Sequence, residues 1–180
     1  MQFPCTPLPY LCTIKQNQKT MKEQPKNENN QKDKMNTNHE VQSLNMVGLR
    51  EVRIPLLQAE FQGKNLLFML DSGSDMNFLD EWVVEHFKDT LKIEPDNGTV
   101  LGVEGKEMPR GSKVIMPLEI KGHLIKANFY SIPGGIASFD LIEQENHVRI
   151  HGILGTPFMV QNNLVIDFSN YTIRFAIPGR

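Results

Sequence analysis

Cysteine is almost missing from this chain, and the two that occur, Cys5 and Cys12, lie near its start. No disulfide framework can staple the remainder, so its fold must rest on an apolar core. Long hydrophobic runs are missing as well. The longest, Leu66-Leu67-Phe68-Met69-Leu70, has five residues, far short of the roughly 20 that span a bilayer, and no membrane partner is expected. Glycine does not occur before Gly48, although the chain has 13, so the turn chemistry of a fold begins there. Between Lys15 and Glu40 the apolar side chains other than Pro25 are Met21 and Met35. The rest is polar or charged, mostly Asn, Gln, Lys, Glu and Thr, which bury too little surface to offset the entropy of ordering. Residues 1–45 are expected to form a disordered Asn/Gln/Lys-rich tail, and 46–180 a single domain.

Basic runs are also absent from the expected domain. Residues 15–40 carry six lysines against Glu23, Glu28, Asp33 and Glu40, giving +2, and the other 13 basic and 17 acidic residues give −4, matching the net charge of −2. A domain with this balance and no basic face is not expected to bind nucleic acid. The first fourteen residues hold three prolines and no basic residue, which makes a poor signal peptide. Cytoplasmic location is the default reading.

What is present reads as strands and turns. Val52 to Leu57 runs into Ala59-Glu60-Phe61, and Leu66 to Leu70 returns after the turn Gln62-Gly63-Lys64-Asn65. Asn77-Phe78-Leu79 is extended, and Asp80 is placed to cap a short helix over 81–87. Asp96-Asn97-Gly98 is a turn signal. Gly102 and Gly105 mark a hairpin tip, read either as plain turn glycines or as a mobile cover. Lys113 to Ile120 and Leu124 to Ile132 alternate as a hairpin about Lys121-Gly122-His123. A short helix is expected over 137–145 and a second from Thr156, with Thr156 as cap and Pro157 in the first turn. Residues 164–168 and 171–175 form a final hairpin.

The chemistry-bearing triplet is Asp71-Ser72-Gly73, set straight after the apolar run. The strand would fix the carboxylate on a rigid element. Ser72 supplies a hydroxyl that donates and accepts, and Gly73 permits a tight turn and close approach. Taken alone, the triplet is also an ordinary turn, since all three residues are turn formers. No G-x-S-x-G elbow occurs, so a nucleophilic Ser72 or Ser74 is not expected. His147 and His151 are four apart, but Val148 and Ile150 alternate with them and no third ligand has motif spacing. Structural or solvated histidines are the preferred reading, not a metal pair.

Phe68-Met69-Leu70-Asp71-Ser72-Gly73-Ser74, followed by Gly152-Ile153-Leu154-Gly155-Thr156-Pro157-Phe158, resembles the retropepsin-like aspartic proteases. The chain looks closer to their bacterial single-domain members than to the viral ones, because the helix after Gly155 begins Thr-Pro-Phe. The resemblance covers about Arg50 to Phe175 and implies an all-β closed barrel with short helices. It makes Asp71 the catalytic carboxylate, supported by Ser72 and Gly73, with Ile153, Leu154 and Gly155 supporting it in a psi-shaped loop. Gly102, Val103, Glu104 and Gly105 fall where the family places its flap.

That chemistry uses two carboxylates, and this chain has one such triplet. The resemblance therefore implies a homodimer hydrolysing an extended polypeptide, with no metal or organic cofactor. Three departures stand out. His151 replaces an Asp common in relatives, Ser72 replaces the commoner Thr, and Asp75 matches an acid that viral members pair with an Arg, where this chain has Thr156 and Pro157. The alternatives are a catalytically silent module that dimerises or binds peptides, and a monomer completed by a different protein.

Overall fold

The computed structural model describes residues 39–45, 52–102, 105 and 107–178, all within the compact unit Asn36–Arg180. Val103 and Glu104, two of the expected flap residues, lie outside the described residues.

The chain order begins with β1 (His39–Asn45), β2 (Leu56–Phe61), β3 (Lys64–Leu70), β4 (Phe78–Asp80) and α1 (Glu81–His86). It continues through β5 (Lys92–Glu94), β6 (Thr99–Leu101), β7 (Glu107–Pro109), β8 (Lys113–Ile120) and β9 (His123–Ile132). It ends with α2 (Ala137–Asn146), β10 (Gly152–Leu154), α3 (Thr156–Gln161), β11 (Val165–Asp167) and β12 (Thr172–Pro178).

Six strands close into a mixed barrel in the order β2-β3-β10-β4-β9-β8, with Glu60 of β2 opposite Glu119 of β8 completing the ring. The β3–β10 and β4–β9 pairs are parallel and the others antiparallel. β5 adds to β8, β6 and β7 form a separate hairpin, and β1-β12-β11 form a second antiparallel sheet. The fold is all-β with short helices, as the sequence leads one to expect.

Alternation builds the barrel interior. Leu57, Ala59 and Phe61 point inward from β2, Val114, Met116, Leu118 and Ile120 from β8, and Ile125, Ala127 and Phe129 from β9. Their neighbours face out, as a strand's two-residue period requires. The Phe68 and Phe129 rings meet at 5.8 Å, and burying each stabilises the fold by roughly 2 kcal/mol. β3 is covered on both faces, which is why it reads as a continuous apolar run. Leu66, Phe68 and Leu70 enter the main core, while Leu67 and Met69 pack with Leu56, Phe139 and Ile150. Gln62-Gly63 and Lys121-Gly122 are paired positive-φ turns (50° and 72°; 53° and 76°), the two-residue form whose twist suits a hairpin.

Asp80 caps α1 as expected, its Oδ1 accepting from the Trp82 amide at 3.0 Å. Two local expectations change. β2 starts at Leu56, not Val52, because Arg53 sits at φ 57° and breaks the extension. Gly155, not Thr156, is the cap residue of α3, and Thr156 is already helical. His39–Asn45, on the tail side of the expected 45/46 boundary, forms β1 and pairs with β12 from His39↔Pro178 to Asn45↔Thr172.

Candidate active site

β3 carries the chain up to Asp71 and hands it to a loop that is bonded at nearly every residue. The Asp71 amide donates to the Leu154 carbonyl at 3.1 Å, continuing the parallel register Met69↔Ile153 and Leu70↔Leu154 by one step. The Gly73 amide donates to Asp71 Oδ1 at 2.8 Å, and the Ser74 amide donates to the Asp71 carbonyl at 3.2 Å. A Cβ on Gly73 would stand 3.2 Å from Asp71 Oδ1, a tight contact that the carboxylate would have to relieve by shifting. The carboxylate is half-buried. One oxygen is held by the backbone, and the other is open among the described residues.

The second segment locks this loop from behind. The Thr156 amide donates to the Ser74 carbonyl at 2.8 Å, and the Thr156 hydroxyl donates to the Ser72 carbonyl at 3.1 Å. Thr156 thus ties α3 to the Asp71 loop. Ser74 donates its hydroxyl to the Met76 carbonyl at 2.8 Å, a turn-closing role. A Cβ on Gly155 would run into the carbonyl oxygens of Met76 and Ser74, and one on Gly152 into the Phe78 carbonyl and the Phe68 ring. Both positions need glycine because backbone passes against backbone there.

Two side chains that complete this framework were not given their roles by the sequence. Asn77, 7% exposed, accepts from the Gly155 amide at 2.8 Å and donates to the Asn128 carbonyl at 2.9 Å. An Asn set among Met76, Phe78 and Leu79 was the available signal, since a buried polar residue needs partners. His151 brackets Leu67. Its amide donates to the Leu67 carbonyl at 2.8 Å, and its Nδ1 accepts from the Leu67 amide at 3.0 Å. Its own carbonyl accepts from the Asp80 amide at 3.0 Å, joining β3, β10 and β4. The bond from Leu67 requires a lone pair on Nδ1, hence the neutral ring with its proton on Nε2. Burial, then the nearby Arg149 charge, hold the His151 pKa below the ordinary 6.5.

The structure brings Asp71, Ser72, Gly73, Ile153, Leu154 and Gly155 together. Ser72 and Asp75 are exposed on the loop surface. Gly102 and Gly105 lie at the tip of the β6–β7 hairpin, closed by the Gly105 amide donating to the Gly102 carbonyl at 2.8 Å, with Gly105 at φ 72°. No hydrogen bond among the described residues joins those two glycines to the Asp71 loop. Among the described residues, no three His, Cys, Asp or Glu side chains cluster as a metal site, and no helix is long and apolar enough to cross a membrane.

A family model described as aspartyl protease matches residues 57–158, a span from β2 to α3 that includes Asp71 and Gly155. No curated protein matches the chain. Among solved structures, it is similar to a retropepsin-like aspartic protease from Rickettsia conorii at 15% identity and a TM-score of 0.49, covering 77% of this chain and 92% of that one. It is also similar to the retroviral protease-like domain of Ddi1 from Leishmania major at 12% identity and a TM-score of 0.47, covering 69% and 94%.

Proposed function

Since the chain belongs to the aspartyl protease family, we propose that it is an aspartic endopeptidase whose site is completed by a second copy of itself. The observation that carries this reading is the Asp71 carboxylate, fixed by the Gly73 amide at the end of a braced strand. One chain supplies one carboxylate in that setting. Asp75, four residues on, is exposed, and Asp167 is consumed by its own turn, accepting from Ser169 and Asn170.

Two copies related by a two-fold axis would bring their Asp71 side chains face to face. Carboxylates that close cannot both ionise, so the pair holds one proton. The ionised member takes a proton from water, and the oxygen of that water attacks the peptide carbonyl. The protonated member donates to the carbonyl oxygen as it becomes tetrahedral. The two acidities belong to the pair and not to either residue. Ser72 would bond across the axis, and the hairpin bearing Gly102, Val103, Glu104 and Gly105 would close over an extended polypeptide.

The direct test is Asp71→Asn, which keeps shape and removes the acid–base pair. Cleavage of an unfolded protein such as casein should be lost, with the thermal midpoint essentially retained. Equal turnover by the variant and the wild type would remove the reading.

A further inference from the structure

The β6–β7 hairpin leaves and rejoins the barrel at one point, between Gly98 and Arg110, where the Arg110 amide donates to the Gly98 carbonyl at 2.9 Å. The Arg110 side chain spreads over that point. Its Nε donates to Asp96 Oδ2 at 2.5 Å, and both side chains are largely buried, at 19% and 24% exposure. Its Nη1 lies 3.6 Å from the sulfur of Met76, and its Cζ sits 4.2 Å from the centre of the Tyr130 ring. The guanidinium lies so close against Gly98 that a Cβ there would strike it.

These contacts join three separate elements. Asp96 and Gly98 precede the hairpin, Met76 belongs to the loop that starts at Asp71, and Tyr130 is on β9. Tyr130 is itself bonded to that loop, its amide donating to the Asn77 carbonyl at 2.9 Å. A planar guanidinium can make an in-plane ion pair and stack on a ring at once, which an ammonium cannot.

We propose that Arg110 is a positioning residue, whose guanidinium clasps the root of the β6–β7 hairpin to the Asp71 loop and sets the hairpin's resting position relative to that carboxylate. The role in turnover rests on the protease reading, but the clasp itself does not. The bond from Arg110 also holds the Asp96 carboxyl below its ordinary range, so the pair stays charged into mildly acid solution. Thermal motion at the hairpin root is then transmitted to the loop that holds Asp71, and ordering one orders the other.

The test compares the full chain with Arg110→Gln and Gly98→Ala. It reads amide hydrogen exchange over 71–77, 99–101 and 107–109, together with kcat and KM on an extended peptide. Gly98→Ala keeps both charges and displaces the guanidinium, so it reports on the clasp even where Arg110→Gln does not fold. Both variants should exchange about tenfold faster at the hairpin root and in 71–77 alike. KM should rise more than kcat falls, because the hairpin orders substrate less well. Faster exchange confined to the hairpin, unchanged exchange throughout, or unchanged KM in a chain that cleaves peptide would each overturn the clasp. Where the wild type cleaves nothing, the protease reading fails while exchange still decides for or against the clasp.

Discussion

The amide of Gly155 donates to the side-chain oxygen of Asn77 at 2.8 Å, although the two residues are 78 apart in sequence. The same Asn77 side chain donates to the Asn128 carbonyl, so one buried amide pins the second motif, the Asp71 loop and β9 together. Asn77→Ala leaves the buried Gly155 amide and the part-buried Asn128 carbonyl without this partner. It should cost about 2–3 kcal/mol, read as a lower urea midpoint with an unchanged slope. A midpoint within error of the wild type would show that the pin is unimportant.

His151 gives the fold a pH dependence of known sign. Its folded pKa is depressed below 6.5 by burial and by Arg149. The unfolded chain therefore takes up this proton first as pH falls. Stability is full above about 6.5 and declines as pH drops through that value toward the folded pKa. Asp80 opposes the shift and moderates it without reversing it. The thermal midpoint of the wild type should fall between pH 7 and 5, and His151→Gln should flatten that slope. An identical slope in both proteins would assign the effect elsewhere.

The parts of the fold made of local pattern were legible. The alternation of β8 and β9, the Gln62-Gly63 and Lys121-Gly122 turns and the Asp80 cap all follow from neighbours in sequence. What was not legible depends on partners far along the chain. Lys92–Glu94 is a strand only because β8 lies beside it, and His39–Asn45 only because β12 does. Asp96-Asn97-Gly98, expected as a turn, is instead an irregular link between β5 and β6, and nothing local announces that Arg110 lies across it. In the site, Asp71-Ser72-Gly73 and Ile153-Leu154-Gly155 were visible as motifs. The bonds made by Thr156, Asn77 and His151 were not, because each side chain reaches an element more than 50 residues away.

Truncation separates the tail from the terminal sheet. Removing residues 1–35 takes away a stretch poor in core-forming side chains and should leave the cooperative melt unchanged. Removing 1–45 also strips β1 from β12 and bares a strand edge. That shorter chain should melt at a lower temperature and self-associate more readily on heating. Identical melting of the two truncated chains would show that β1 adds nothing to stability.

A site shared by two chains reveals itself in a mixing series. Wild type and Asp71→Asn are combined at fixed total concentration, well above dimer dissociation, and left to exchange subunits. Mixed dimers carry one functional carboxylate and should be inactive. Activity should then follow the square of the wild-type fraction, so an equal mixture keeps about a quarter of full activity, the share of dimers with two Asp71 carboxylates. Activity that falls in simple proportion to the wild-type fraction would mean that each chain works alone, and would contradict the shared site.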